Sequence, residues 1–240
     1  MLEEISECCK SLKLSKNIVE NCRKTESNIN VEFLLKILKA EIEHRKESRT
    51  KLLLKKAGFS KIKTFSNYDS REINFPPLLN IESLKELEFM EKKQNLIMYG
   101  NVGTGKTHLA TAIGVEACNK GKKVGFYTTA SLVNQLSESK NKGTLSTLMK
   151  KLKSLDLLIC DEWGYVPLAK EGSQLLFQVI SECYEQRSLI ITTNLEFSKW
   201  VNVFYDEQMT AALIDRIVHY SHLILFEGGS YRMKNSTMKK

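Results

Sequence analysis

The sequence predicts an α/β fold in which helices flank a central five-stranded parallel sheet, preceded by a small helical N-terminal module. Five short apolar runs rich in β-branched or aromatic residues follow residue 94, and helical stretches separate them. Runs with little alternation are typical of strands buried on both faces, and the helices between them supply the crossovers that a parallel sheet requires. Before residue 58 the pattern is helical, without strand-like alternation.

The N-terminal module is predicted from helical spacing. Between residues 31 and 56 apolar side chains such as Phe33 and Ile37 recur every three or four positions, while charges fill the other faces. Gly58 marks the end of this helix. An earlier helix is predicted over residues 2–12.

A boundary between two domains is predicted where the periodic pattern stops. Residues 66–80 are mostly polar and contain Pro76 and Pro77, neither of which can continue a helix or a central strand. We interpret this segment as a linker. The predicted domains are residues 1–65, a basic helical module, and residues 66–240, the α/β domain.

The five apolar runs give the predicted strands of the second domain. A chain of 240 residues with 42% hydrophobic and 27% charged residues is suited to one main core and a small appended module. The predicted strands are 96–99, 124–128, 155–160, 189–193 and 223–226.

The N-terminus and the cysteines indicate a cytoplasmic location. The first ten residues carry acids where a secretory signal needs basic residues, and no apolar run approaches the ~20 residues that span a bilayer. The six cysteines form no CxxC pair, which favours a reducing compartment. We therefore expect a cytoplasmic protein with no membrane partner.

The strongest motif is the segment GNVGTGKT at residues 100–107, which matches GxxxxGK followed by Ser or Thr. It directly follows the strand at 96–99 and opens a helix, the setting of a phosphate-binding P-loop. Backbone N–H groups and the helix N-terminus converge there on phosphates, Lys106 reaches the β- and γ-phosphates, and the Thr107 hydroxyl binds Mg²⁺. The predicted ATP site comprises Gly100, Asn101, Val102, Gly103, Thr104, Gly105, Lys106 and Thr107.

A second motif lies at the end of the predicted strand 155–160, where Asp161 and Glu162 follow an apolar run. Asp161 is predicted to hold the Mg²⁺ shell, and Glu162 is predicted to polarise an attacking water. This pairing is expected of a hydrolase rather than of a simple switch. The alternative interpretation is two solvated acids at a strand end.

Three further polar residues are weaker candidates. Asn194 ends the strand 188–193 and is predicted to lie beside the γ-phosphate and orient the water, although Asn is also a common turn residue. Arg216 follows a helical run, and Arg232 lies after the last strand. Either arginine suits a γ-phosphate contact supplied by a neighbouring subunit, or a surface salt bridge.

Two clusters carry much of the positive charge. Lys and Arg number 36 against 28 acids, a formal charge of +8. Residues 44–63 hold eight basic residues and one acid, and residues 140–153 hold five lysines and no acid. Such clusters bind phosphate backbones without reading sequence, so we expect double-stranded DNA as a partner, the alternative being solvated helix faces. The candidate DNA contacts are Arg45, Arg49, Lys55, Lys56, Lys142, Lys150 and Lys151.

Several blocks in order, from about residue 34 to residue 232, resemble the IstB-like transposition helper ATPases. These proteins are relatives of the DnaC-type helicase loaders in the AAA+ class of P-loop NTPases. The first matching block, GTGKTHLA, includes His108, which we count with the nucleotide-binding residues. The blocks are 103–110, 132–136, 161–162 with 164–165 and 167–168, 176–180, 215–216 and 230–232.

The resemblance implies an ATP-dependent helper encoded by an insertion sequence. Such a helper assembles on DNA as an oligomer and acts with a transposase to select the target site. By resemblance, Asn194 is a first sensor, Arg216 a finger acting on a neighbour's nucleotide, and Arg232 a second sensor. Residues 140–153 then lie in a helical insertion that acts on DNA.

Two other functions are compatible with the same motifs. A replicative helicase loader of DnaC type shares every ATPase residue but docks a helicase through its N-terminal module. A P-loop small-molecule kinase needs an acceptor site, and no second cluster of polar groups is assigned to one.

Overall fold

A computed structural model describes residues 6, 9–10, 13–25, 30–204, 206–234 and 236–237. Contacts between Cα atoms divide the chain into two units, Met1–Leu52 and Leu53–Lys240. The predicted domains, 1–65 and 66–240, place the boundary further along the chain, and that boundary stays a prediction.

The first unit contains helix α1 (Asn17–Lys24) and most of helix α2 (Asn30–Ala57). Within this unit Cys9, Ile18 and Ile37 are buried together. The helix predicted over residues 31–56 is observed as α2, which ends one residue before Gly58. The helix predicted over residues 2–12 lies largely outside the described residues.

The second unit contains six strands and nine further α-helices among its described residues. The strands are β1 (Ile73–Asn74), β2 (Asn95–Gly100), β3 (Val124–Thr128), β4 (Leu157–Trp163), β5 (Ser188–Thr193) and β6 (Ser221–Phe226). The helices are α3 (Ile81–Glu86), α4 (Glu88–Glu91), α5 (Lys106–Asn119), α6 (Thr129–Asn141), α7 (Leu145–Lys153), α8 (Lys170–Cys183), α9 (Val201–Phe204), α10 (Glu207–His219) and α11 (Tyr231–Lys234). Short 3₁₀ turns occur at Phe65–Asn67 and Phe197–Lys199.

The six strands form one sheet in the order β1-β6-β2-β5-β4-β3. The five predicted strands pair in parallel, as the sequence predicts. The sixth strand, β1, pairs antiparallel with β6 through Ile73 and Asn74. The segment 66–80, which we interpret as a linker, therefore contributes two residues to the sheet. The sequence did not indicate this strand, because its partners lie about 150 positions away.

Helices cover both faces of the sheet. On one face Leu96, Met98 and Ile159 pack with α5 and with the short helices α3 and α4. On the other face Ile97 and Leu158 pack with α6, α7, α8 and α10. Since successive strand residues point to opposite faces, the apolar runs supply both cores at once.

Some helices in this unit begin with a side-chain cap. Asn80 and Ser83 form a reciprocal capping box at α3, and the Asp206 carboxylate accepts the Met209 N–H at the start of α10.

Among the helices that the structure describes, none is long and apolar enough to cross a membrane.

Strand β4 differs from its predicted range of 155–160. Residues 154–156 belong to the turn after α7, in which the Asp156 carboxylate accepts the Lys123 N–H at 2.7 Å. At its other end β4 continues through Asp161 and Glu162 to Trp163. The two carboxylates therefore lie within the strand, at the edge of the sheet where the carboxyl ends of β2 and β5 also meet.

Candidate nucleotide-binding site

The loop between β2 and α5 forms the core of the candidate site. Gly103 and Gly105 adopt φ values of 81° and 100°, a region that residues with side chains rarely enter. Gly105 is also the N-cap of α5. The first N–H groups of α5 have no partner within the helix, so the loop and the helix end together present donors to an anion.

Lys106 is the first residue of α5, and its side chain turns back into the loop. Its Nζ donates to the carbonyl oxygens of Gly100 and Asn101, each at 2.6 Å, and the residue is only 5% exposed. Burial lowers the pKa of this ammonium to about 8, and nearby Asp161 opposes the shift. A buried cation that donates to two neutral carbonyls fits an incoming phosphate, which would supply further negative charge.

Thr107 and Asp161 meet across the gap between α5 and β4. The Thr107 hydroxyl donates to Asp161 Oδ1 at 3.0 Å, and the Thr129 hydroxyl donates to the Asp161 carbonyl, also at 3.0 Å. Within the described residues, no group of three or more His, Cys, Asp or Glu side chains is arranged to hold a metal ion. One carboxylate and one hydroxyl, both oxygen donors, suit Mg²⁺, which keeps several waters and takes other ligands from phosphates.

Glu162 lies beside Asp161 but faces solvent. Glu162 is exposed, whereas Asp161 is 3% exposed. The Glu162 φ of 58° is unusual for a residue with a side chain. Burial raises the pKa of the Tyr165 hydroxyl, and the charges of Glu162 and Asp161 raise it further. The Tyr165 N–H donates to the Glu162 carbonyl at 3.3 Å, so Tyr165, which belongs to the matching block 164–165 but was not predicted as a site residue, lies beside Glu162.

Asn194 and Arg216 occupy different edges of the sheet. Asn194 directly follows β5 and is exposed at the edge that also carries Asp161. The Arg216 guanidinium lies over the Phe177 ring at 5.4 Å and donates to Ser181 Oγ at 3.1 Å. It lines a small cavity with Asn95, the first residue of β2, so the structure does not bring Arg216 to the loop of its own chain.

The segment after β6 packs against the phosphate loop. The Tyr231 N–H donates to the Gly103 carbonyl at 2.9 Å, and Arg232 is close enough for its charge to lower the Lys106 pKa. Lys234 forms an ion pair with Glu72 at 2.9 Å. The structure therefore places Arg232 near the loop, in the segment that contains the matching block 230–232.

A segment before β1 contacts the other side of the loop. The Tyr68 hydroxyl donates to the Gly105 carbonyl at 3.3 Å, and its ring centroid lies 4.9 Å from that of His108. His108 Nε2 is 3.1 Å from the Thr64 carbonyl. Burial raises the pKa of the Tyr68 hydroxyl. Sequence reasoning missed Tyr68, because a single aromatic residue in a polar stretch carries no pattern.

Some of the candidate DNA contacts form ion pairs within their own helices. Arg45 pairs with Glu41 at 2.7 Å, and Lys142 pairs with Glu138 at 3.4 Å, each within one helix. Arg49, Lys55 and Lys56 are exposed on α2. Lys150 and Lys151 are exposed on α7, and neither forms an ion pair with any residue in the described part of the chain.

Two glycines with similar backbone angles allow a matched test of the loop. A Cβ added at Gly103 would lie 2.2 Å from Ser230 Oγ, whereas one added at Gly143, with φ of 68°, would meet nothing within 4 Å. We expect Gly143→Ala to destabilise the protein by about 1–2 kcal/mol, the cost of a left-handed residue with a side chain. Gly103→Ala is expected to cost more and also to weaken nucleotide binding.

Thermal unfolding and nucleotide titration of both variants check this prediction. Adding Ser230→Gly to Gly103→Ala is expected to recover part of the lost stability, since the crowded hydroxyl is removed. Equal losses in the two single variants, with unchanged nucleotide affinity, would contradict the inferred contact between the loop and the segment after β6.

Comparison with known proteins identifies a family. The family described as IstB-like ATP binding protein matches residues 10–239. A relative from Bacillus thuringiensis subsp. berliner, assigned to insertion sequence IS232 and named for ATP binding, is 34% identical over 213 residues, or 88% of this chain and 84% of its own. A relative from Pseudomonas aeruginosa, assigned to insertion sequence IS21 and also named for ATP binding, is 34% identical over 221 residues, or 91% and 82%.

Solved structures show the same fold. A crystal structure of a DNA replication initiation factor is 25% identical with a TM-score of 0.52, and the match covers 61% of this chain and 44% of that one. The match to DnaI has a TM-score of 0.53 and covers 71% and 90%, but at 19% identity it shows the fold alone. The chain therefore belongs to the family of IstB-like ATP-binding proteins, and its second unit has the AAA+ type of P-loop fold.

Proposed function

We propose that this protein is the ATP-hydrolysing helper of an insertion-sequence transposase, which assembles on DNA and couples hydrolysis to target-site selection. One observation supports ATP hydrolysis: four polar side chains lie together at one edge of the sheet. They are Lys106, Thr107, Asp161 and Glu162. The part in transposition rests on relatives that are assigned to insertion sequences.

Nucleotide binding begins with an exchange of partners at Lys106. Its ammonium leaves the carbonyls of Gly100 and Asn101 and donates instead to the β- and γ-phosphates, while the N–H groups of the loop and of α5 hold the remaining oxygens. The exchange is favourable because charge-assisted hydrogen bonds to phosphate are stronger than bonds to neutral carbonyls.

Thr107 and Asp161 would hold Mg²⁺. Bound there, this ion supplies charge neutralisation for the phosphates. The Thr107 oxygen would offer a lone pair to the ion, because the hydroxyl uses only its hydrogen in the bond to Asp161 Oδ1. Asp161 stays in place because its backbone is part of β4 and its carbonyl accepts the Thr129 hydroxyl.

Glu162 acts as the general base. Its exposed carboxylate takes a proton from a water that attacks the γ-phosphorus, and the bond between that phosphorus and the β–γ bridging oxygen breaks. The products are ADP and phosphate. Asn194, at the same edge, orients the water through its amide.

Assembly into an oligomer supplies the remaining contact. Because Arg216 lies toward the amino ends of β2 and β5, away from the loop of its own chain, we assign its guanidinium to a neighbour's nucleotide. Arg232 is close to Lys106, and we assign it to the phosphates of the nucleotide bound to its own chain. Hydrolysis then depends on self-association, since each site lacks its finger until a neighbour binds.

The test of this function is phosphate release by the purified protein, measured with and without double-stranded DNA and with its transposase. We expect hydrolysis that DNA stimulates and an oligomer that requires ATP. A protein that stays monomeric with ATP and hydrolyses it at a rate indifferent to DNA would contradict the proposal. Binding to a replicative helicase instead of a transposase would favour a helicase loader, and phosphoryl transfer to an acceptor other than water would favour a kinase.

DNA contact is expected at α7. Lys150→Ala combined with Lys151→Ala is expected to weaken duplex binding and to lower the slope of log affinity against log salt by about 2, since each phosphate contact contributes about 0.9. Fluorescence anisotropy over a range of salt concentrations measures this slope. Lys92→Ala combined with Lys199→Ala removes two exposed lysines elsewhere and serves as the control. The same loss in both double variants would refute a specific role for α7.

A further inference from the structure

The pairing of β4 with β5 is irregular at the two carboxylates. The strands pair residue by residue from Leu157 and Ser188 up to Cys160 and Ile191, and the next pair is Trp163 with Thr193. Three steps along β4 therefore match two along β5. This is a β-bulge, and it leaves Asp161 and Glu162 together opposite one residue, Thr192.

The Thr192 side chain contacts both residues of the bulge. Its hydroxyl donates to Asp161 Oδ1, and its oxygen accepts the Glu162 N–H at 3.1 Å. Thr192 is 2% exposed, so no bulk water competes for these bonds. A hydroxyl has one proton to donate and lone pairs to accept with, and here one hydroxyl uses both capacities.

The second of these bonds compensates for the bulge itself. The register shift takes the Glu162 N–H out of the regular ladder, and Glu162 has a φ of 58°. Such a backbone conformation persists only where surrounding contacts hold it. The Thr192 oxygen supplies the partner that the ladder does not, and it thereby holds the backbone from which the Glu162 side chain projects.

We propose that Thr192 is a positioning residue for ATP hydrolysis, which sets the Asp161 carboxylate and the Glu162 backbone relative to each other through one hydroxyl. The inference rests on the proposed function, in which Asp161 is a metal ligand and Glu162 the base. Thr192 itself contacts neither water nor phosphate in this assignment. Its neighbour Thr193 bonds instead to the Trp163 carbonyl, one residue further along β4.

Replacement by valine tests this inference, because valine has nearly the same shape and no hydroxyl. Thr192→Val is expected to lower kcat for ATP hydrolysis by about 10- to 100-fold, the range expected when reacting groups are displaced by up to ~1 Å. It is also expected to raise the Mg²⁺ concentration for half-maximal activity. ATP affinity in EDTA is expected to stay unchanged, since Lys106 and the loop are untouched.

A readout independent of activity is the hydrogen exchange of the Glu162 amide, measured by mass spectrometry or NMR. We expect faster exchange of this amide in Thr192→Val, because its acceptor is lost. Thr192→Ser keeps the hydroxyl and is expected to restore slow exchange, kcat and the Mg²⁺ requirement to within about threefold of the original protein. If the valine variant does not fold, Thr192→Ala removes the same hydroxyl without adding a methyl group beside Asp161.

Thr210→Val is the matched control. The Thr210 side chain is also buried, at 4% exposed, and its hydroxyl donates to the Asp206 carbonyl at 2.6 Å in α10, far from the carboxylates along the chain. Its loss is expected to lower the unfolding temperature without changing the Mg²⁺ requirement or the exchange of the Glu162 amide.

The outcomes separate this inference from the proposed function. Absence of hydrolysis in the unmodified protein would contradict the proposed function. Hydrogen exchange of the Glu162 amide would still show whether Thr192 holds the bulge in β4. A folded Thr192→Val protein with unchanged kcat, Mg²⁺ requirement and Glu162 exchange would overturn the positioning role. Equal damage in Thr192→Ser and Thr192→Val would overturn it as well, because the hydroxyl would then not be the group that matters.

Discussion

Glu162→Gln is expected to lower the turnover of ATP hydrolysis by about 10²- to 10⁴-fold, the usual contribution of a general base. The amide keeps the size of the side chain but cannot take a proton from water. Because Glu162 is exposed and contacts neither the loop nor Lys106 through a hydrogen bond, ATP is expected to bind with unchanged affinity. Phosphate release and titration with a fluorescent ATP analogue measure the two effects.

The same variant is expected to accumulate in the ATP-bound state and to prolong any assembly on DNA that needs ATP. Glu196→Gln, which changes an exposed carboxylate two residues beyond Asn194, serves as the control and is expected to hydrolyse ATP normally. Hydrolysis by Glu162→Gln at the rate of the unmodified protein would show that another group is the base.

Lys106→Ala is expected to weaken ATP binding on the order of 100-fold. A hydrogen bond to a charged group contributes about 1.5–3 kcal/mol, and Lys106 is assigned two, to the β- and γ-phosphates. About 3 kcal/mol corresponds to roughly 100-fold in affinity. Calorimetric titration with ATP and Mg²⁺ measures this loss, and the unfolding temperature without nucleotide shows whether the variant is folded.

Lys120→Ala is the control for Lys106→Ala. Lys120 follows the other end of α5, where its ammonium pairs with Glu86 at 2.8 Å. Its removal is expected to leave ATP affinity unchanged. If Lys106→Ala bound and hydrolysed ATP as the unmodified protein does, the assignment of that ammonium to the phosphates would be refuted.

The parallel sheet was predictable because its signals are local. Each of the five strands is an apolar run that can be recognised from a few consecutive residues. Strand β3 is observed with the predicted bounds of 124–128. The loop between β2 and α5 was recognisable for the same reason, since its glycines, Lys106 and Thr107 lie within residues 100–107. Its role in binding phosphate stays a prediction.

The features that sequence reasoning missed depend on contacts between distant residues. Strand β1 exists because Ile73 and Asn74 meet β6, and neither residue carries a strand pattern by itself. Tyr68 reaches Gly105 from 37 positions away. The pairing of Arg45 with Glu41 was missed for a simpler reason, because the acid lies just outside the basic stretch that was counted.

By itself the sequence determined the chemistry available at the site: glycines where a side chain would be strained, an ammonium, a hydroxyl and two carboxylates that follow one apolar run. Only the tertiary structure decided how these groups meet. The bulge in β4 places Asp161 and Glu162 opposite Thr192, and the fold keeps Arg216 away from its own loop. The physical reason is that side-chain chemistry is local to a residue, whereas strand register and packing depend on every partner in the sheet.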